Sequence, residues 1–263
     1  MDKPYRATPD IDVLPSIFTI PGLGLIPINA FVLRASEPVL VDTGYVLDSP
    51  EFMPALRSVI DPQDLRWVWL THTDFDHIGS LHQLLEEVPR LTVITTFLGV
   101  GIMSLSNPLP MDRVYFLNPG ERLSVGDRTL TAVKPPVFDN PSTVGFYDDK
   151  SETFFSSDCF GAIMSSPTES AADIPAQELR EGQTLWATVD SPWLHNVDEG
   201  RFARALNRIR EMAPRMVLSS HLPAAPGSMA SQFLECLAAA PNAQPFVGPN
   251  QPALQEMLKQ MTG

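Results

Sequence analysis

No stretch of the 263-residue sequence approaches the run of about 18 apolar residues that a membrane span requires, so no such span is expected. The opening Met1-Asp2-Lys3-Pro4-Tyr5-Arg6 leads into no secretory-type apolar stretch, and a cytoplasmic chain is the resulting expectation. Cysteine is nearly missing. Cys159 and Cys236 cannot build a disulfide framework, which is in keeping with a reducing compartment. Positive charge is also short, with 18 Lys and Arg against 31 Asp and Glu, for a formal charge of −13. Such a chain repels phosphate backbones and shows no local basic patch, so nucleic acid is not an expected partner. There is no low-complexity linker. An apolar fraction of 44% suffices for a sizeable core, and a single domain over residues 1–263 is expected.

Chemistry is concentrated in one place. The apolar run Trp67-Val68-Trp69-Leu70 reads as a buried strand and ends in Thr71-His72-Thr73-Asp74-Phe75-Asp76-His77. Alternation along a continuing strand would send His72, Asp74 and Asp76 to one side, with His77 opening the next element. Unpaired charge at the end of a buried strand is costly, and a bound cation removes that cost. The segment therefore reads as the nucleus of a two-metal site.

Elsewhere the pattern predicts early strands at Ile17–Ile20, Ala30–Leu33 and Pro38–Gly44, separated by Gly and Pro. A helix is expected from Pro50 to Ile60, capped by Asp48 or Ser49. Another is expected from about His77 to Glu87, on the helical spacing of Ile78, Leu81, Leu84 and Leu85. Leu91–Thr95 should be a strand and Leu98–Leu105 a helix. Further strands are expected near Arg113–Leu117, Thr129–Val133, Thr143–Phe146, Thr153–Ser156 and, last, Arg215–Ser219. Helices should cover Gly200–Met212, Ser228–Ala240 and Pro252–Met261. Residues Ser165–Glu181 are polar and proline-punctuated, and read as a loop over the site. Strands, a helical insertion, more strands and then helices imply two sheets packed face to face with helices outside, a four-layer αββα sandwich of α/β (α+β) class.

Three more candidates stand at the ends of apolar runs or in turns. Asp158 follows Thr153-Phe154-Phe155-Ser156-Ser157, and His221 follows Met216-Val217-Leu218-Ser219-Ser220. Asp139 lies in Pro135-Pro136-Val137-Phe138-Asp139-Asn140-Pro141, where it could equally be a turn former. With these residues in place the chain resembles the metallo-β-lactamase-fold superfamily, whose signature is HxHxDH followed by a His, a bridging Asp and a final His. Asp42 in Val39-Leu40-Val41-Asp42-Thr43-Gly44 is similar to that superfamily's first motif, in which the Asp supports the site without binding metal. The resemblance runs from about residue 15 to 225.

Two positions depart from the pattern. Asp74 stands at the second His position, giving HxDxDH, and Asp139 stands roughly where a third ligand His would be. A carboxylate at the second position is similar to the HxExDH of flavodiiron proteins and their stand-alone oxygen-binding relatives. Asp76-His77-Ile78-Gly79-Ser80-Leu81, Phe155-Ser156-Ser157-Asp158-Cys159-Phe160-Gly161 and Pro141-Ser142 are similar to the segments around those families' iron ligands. No flavodoxin module follows, so no flavin is expected in this chain.

The resemblance implies one metal on His72, Asp74 and Asp139, a second on Asp76, His77 and His221, and Asp158 bridging both. A one-metal arrangement using only Asp76, His77, Asp158 and His221 is the alternative. Four aspartates would neutralise two divalent cations, and so oxygen-rich a donor set suits iron or manganese better than zinc. The leading functional expectation is a dinuclear, iron-favouring protein that binds or reduces dioxygen, nitric oxide or a similar oxidant, served by an external electron donor or acting as a sensor. The alternative is a hydrolase of an ester, lactone, thioester or phosphodiester, in which a bridging hydroxide attacks and Asp76 orients it. A third class is a metal-stabilised binding protein without catalysis. His195, in a loop, could line a substrate pocket or donate a proton. Cys159, Trp67, Trp69 and Trp186 are expected in the core or a pocket wall, without a cofactor role.

Overall fold

The structure is a computed structural model that describes residues 1–262. Seven strands, β1 (Tyr5–Thr8), β2 (Ile11–Ile20), β3 (Gly24–Leu33), β4 (Val39–Val41), β5 (Trp67–Trp69), β6 (Thr92–Thr95) and β7 (Val114–Phe116), form one sheet in sequential order. Neighbours are antiparallel up to β4 and parallel from β4 to β7. The second sheet holds β8 (Arg122–Ser124), β9 (Thr129–Val133), β10 (Gly145–Asp148), β11 (Thr153–Phe155), β12 (Met216–Ser219) and β13 (Leu222–Pro226), in the order β13-β12-β11-β10-β9-β8. Helices α1 (Ser49–Val59), α2 (Leu81–Glu87) and α3 (Phe97–Met103) follow strands of the first sheet. α4 (Ala176–Asp190), α5 (Glu199–Met212), α6 (Ala230–Ala239) and α7 (Gln251–Thr262) belong to the second half.

Alternation along the strands builds the layers. Phe31, Val41 and Trp69 of the first sheet meet Phe146, Phe155 and Leu218 of the second, and Val32, Leu40 and Val68 point the other way, onto Phe52, Leu56, Leu81 and Leu84 of α1 and α2. On the far side Phe154 and Val217 pack under Leu179 of α4, Phe202 and Leu206 of α5 and Phe233 of α6. The result is the four-layer αββα sandwich that the order of elements predicts. Between the sheets, Phe146 stacks on Phe155 at 4.3 Å and lies 4.4 Å from Trp69. Each such buried side chain contributes on the order of 2 kcal/mol. Arg128, almost fully buried, clasps the two halves through Asp10 at 2.6 Å and Asp148 at 3.0 Å.

Several elements differ from the sequence reading. β2 and β3 form a ten-residue hairpin, much longer than the apolar segments alone suggested, and β1, β8 and β13 add strands that were not expected. β13 means that the strand ending before His221 is not the last. β5 stops at Trp69, so residues 71–80 form a braced turn, and the α2 helix begins only at Leu81. The side-to-side alternation invoked for His72, Asp74 and Asp76 therefore does not operate; turn geometry aims them instead. Asp48 does not cap α1 through its side chain, because its carboxylate is taken by the Ser16 hydroxyl. The Ser165–Glu181 segment is not all loop. From Ala176 it is α4, which buries Leu179, Gln183 and Ala187 despite a sequence rich in polar residues. Among the described residues, no helix is long and apolar enough to cross a membrane.

Candidate metal centre

Five connections converge at one end of the sandwich. Asp42 follows β4, residues 71–77 follow β5, Asp139 lies between β9 and β10, Asp158 follows β11, and His221 sits in the turn between β12 and β13. The 71–80 turn is pinned by backbone bonds: Val144 N–H donates to the Thr71 carbonyl at 2.7 Å, Thr43 N–H to that of His77 at 2.7 Å, and His77 N–H to that of Asp74 at 2.9 Å. Gly79 lies so close to the chain at residues 44–46 that a Cβ there would fall 2.5 Å from the Tyr45 carbonyl carbon. Only glycine permits that approach. Ser157 and Phe160, on either side of Asp158, both have left-handed backbone, with φ of 55° and 71°, so the chain is bent sharply to present this one carboxylate.

All seven residues singled out from the sequence meet here. His72 Nε2 lies 3.7 Å from Asp74, 3.9 Å from Asp139 and 3.2 Å from Asp158. His77 Nε2 and His221 Nε2 each lie 3.4 Å from Asp76 and 3.2 Å from Asp158. Asp158 thus faces all three imidazoles, with one oxygen toward His72 and the other toward His77 and His221. The His72 and His77 rings lie 3.8 Å apart. The three histidines and Asp158 are almost entirely buried, whereas Asp74, Asp76 and Asp139 reach the surface of the cleft.

The far side of each imidazole is fixed by the protein. His77 Nδ1 donates to Asp42 at 2.9 Å, and His221 Nδ1 donates to the Pro27 carbonyl at 2.9 Å. Thr71 gives its hydroxyl proton to Asp42 at 2.7 Å, which leaves its oxygen to accept from His72 Nδ1 at 3.3 Å. With Nδ1 committed, every Nε2 points inward. Asp42, itself in left-handed backbone at φ 58°, is the hub of this scaffold. On the inner side, His77 Nε2 and Asp158 Oδ1 are buried with no hydrogen-bond partner. Orphaned buried donors and acceptors of this kind are rare unless something else satisfies them. The donor set would fit a pair of oxygen-preferring cations.

The local charges say the same. Burial pushes His77 and His221 down, but the carboxylates of Asp76 and Asp158 outweigh it, raising His77 well above its ordinary value and His221 to about 9. For His72 burial prevails and the value falls. Asp158 and Asp76 resist burial because the imidazoles hold them ionised, far below the usual carboxylate range. Asp139 goes the other way. Burial, then the charges of Asp158, Asp190 and Asp74, push it up to about 8. Shared protons hold these facing carboxylates and imidazoles together.

Other expectations resolve locally. The turn hydrogen bonds at 139–143 come from Asn140, not Asp139; Asn140 also donates to Asp74 at 2.8 Å, a brace that sequence reasoning missed. His195 turns away and meets the Pro241 carbonyl at 3.2 Å. Cys159 is buried in the apolar core, and Trp67 and Trp69 pack between the sheets. Trp186 forms a wall: its ring lies 4.7 Å from that of His221 and its Nε1 donates to the Asp158 carbonyl. Asp190, at the end of the α4 helix, was also missed; it lies within reach of Asp139 and Asp158. Beside Asp74 and Asp76 opens a cavity of about 680 Å³, walled mainly by Phe18, Ile26, Tyr45, Phe75, Ile102 and Trp186.

Residues 26–221 match the family described as ODP family beta lactamase. Among curated proteins, the chain is 29% identical over 134 residues to diflavin flavoprotein A 1 of Synechocystis sp., covering 51% of this chain and 23% of that protein. It is 28% identical over 134 residues to the anaerobic nitric oxide reductase flavorubredoxin of Salmonella typhi, covering 51% and 28%. The aligned stretch is 48% or less of the length of the curated relatives that head the comparison. Among solved structures, rubredoxin oxygen:oxidoreductase of Desulfovibrio gigas superposes with a TM-score of 0.81 at 18% identity, over 93% of this chain and 63% of that one.

Proposed function

This chain belongs to the ODP family of beta-lactamase proteins, a flavodiiron-like di-iron fold, and from that premise we propose that it carries a dinuclear, iron-favouring centre that binds or reduces dioxygen, nitric oxide or a similar small oxidant. The observation that supports this most is the inward convergence of three buried imidazoles on Asp158, each with its far nitrogen already committed. His72, Asp74 and Asp139 would hold one ion, Asp76, His77 and His221 the other, and Asp158 would join them. Metal ions bound there would supply Lewis acidity and, if iron, redox capacity. Asp76 stands against both His77 and His221, so a ligand role suits it better than that of a free base. The exposed edges of Asp74 and Asp139 leave the centre open to a small molecule. Relatives named as reductases imply an external electron donor, and the reading extends to that partner class.

Aerobic purification followed by metal analysis and an absorption spectrum tests the reading. Two irons per chain with a visible band, and oxidant consumption when a reductant is supplied, are expected; stoichiometric zinc without a visible band removes it.

The hydrolase reading retains one specific observation in its favour. A cavity of about 680 Å³ with mostly apolar walls is far larger than a diatomic needs and lies in the range of organic ligands. Turnover of a panel of activated esters and phosphodiesters that is lost in both His72→Ala and Asp158→Ala would support it; a null result across the panel with several metals counts against it.

A further inference from the structure

We propose that Asp190 is an eighth protein ligand of this centre, bound on the His72 side together with Asp139 and Asp158. The inference rests on the metal-centre reading above and deepens it.

Carboxylate oxygens of Asp139, Asp158 and Asp190 all lie within 4.8 Å of one another. Asp158, the buried member, turns one oxygen to His72 at 3.2 Å, and its other oxygen, facing His77 and His221, has no hydrogen-bond partner. Among the described residues, the only hydrogen bond to the Asp190 side chain comes from the Ser191 hydroxyl, which donates to one of its oxygens at 3.0 Å, and no Lys or Arg pairs with it. Burial and the neighbouring carboxylates outweigh the Ser191 hydrogen bond and the nearby His221 and His77 imidazoles and so oppose a negative charge at this point. Asp190 is the last residue of the α4 helix, where the helix dipole is itself negative. It is half-buried, and two further carboxylates stand beside it. A chain with no use for this acid would gain stability from an amide there. A cation removes all three penalties at once.

The histidine-poor side of the centre supplies the need. His72 is its only imidazole, and Asp74 is drawn partly away by Asn140. Asp190 completes that side with oxygen. Five carboxylates, Asp74, Asp76, Asp139, Asp158 and Asp190, would then surround two ions, one negative charge more than two divalent cations carry. That balance selects hard, oxygen-preferring ions of the iron and manganese type and disfavours zinc.

The test compares the unaltered chain with Asp190→Asn and Asp190→Ala, each stripped of metal and titrated with ferrous and manganous ions alone. The wild type should take up two ions. The variants should bind the second at least tenfold more weakly. In the metal-free state the same variants should melt above the wild type, since a repelled charge has been removed. That pairing of tighter folding with weaker metal binding is not what a structural aspartate produces. Two ions bound by the variants at wild-type affinity would overturn this inference and leave the metal-centre reading intact. No uptake by the wild type would overturn both. A metal-loaded crystal with the Asp190 carboxylate beyond coordination distance of either ion would also overturn it.

Discussion

Asp42 touches no candidate cation position, yet it sets the orientation of the centre. One oxygen accepts the Thr71 amide at 2.8 Å; the other accepts the Thr71 hydroxyl and His77 Nδ1. An asparagine side chain in its place tolerates the same left-handed backbone but offers only one accepting oxygen. Asp42→Asn should therefore fold and bind metal roughly 10–100-fold more weakly, as measured by titration against a chelator. Protonation gives a second check at this scale. The raised Asp139 holds a proton in the folded state that the unfolded chain has lost from about pH 4 upward. Its contribution therefore falls as pH rises toward 8. His77 and His221 are raised too, so the stability they confer is present below about pH 6.5 and disappears above it, for His221 as pH passes about 9. His72, whose value is lowered, opposes this trend. The metal-free protein should lose stability between pH 5 and 9 in thermal melts, while metal affinity climbs over the same window as donors lose protons. A metal-free stability that rises steadily across that range contradicts the charge arrangement.

Among the elements, the short parallel strands were the easiest to read from sequence. Val39–Val41 and Trp67–Trp69 are continuous apolar runs because both faces are covered, and their ends marked the site. All seven candidate ligands meet because strand ends gather at one edge of the sandwich, a property of the architecture that survives errors of a few residues in each boundary. The α4 helix was not legible. Its 15 residues include Gly182, Thr184 and Thr188, and its buried face holds Gln183 and Thr188, so no apolar stripe announces it. Its value to the site, through Trp186 and Asp190, comes from contacts 28 or more residues away in sequence from Asp158, which no local pattern carries. Gly161 is the point where α4 closes on the centre. A Cβ there would lie 2.5 Å from Trp186 Nε1 and 2.9 Å from the His221 Cβ. Gly161→Ala should cost about 1–3 kcal/mol of stability and weaken metal binding on the His221 side more than on the His72 side. Unchanged affinity with an unchanged melting temperature would show that Trp186 does not brace the site.

Over the whole molecule, the two sheets share one interior, from Phe31 and Trp69 on one side to Phe146 and Leu218 on the other, and the candidate ligands follow strands of both. We propose that residues 1–263 behave as one folding unit. A single unfolding transition should result, and chelation should lower its midpoint without splitting it. Two separated transitions would divide the chain.

The most direct measurement is anomalous scattering from a crystal of the metal-loaded chain, recorded at the iron and zinc edges. Two iron peaks about 3.5–4 Å apart are expected, one against His72 and the other against His77 and His221, with Asp158 between them. Zinc alone would contradict the choice of metal, and no ordered ion after soaking in excess would contradict the centre itself.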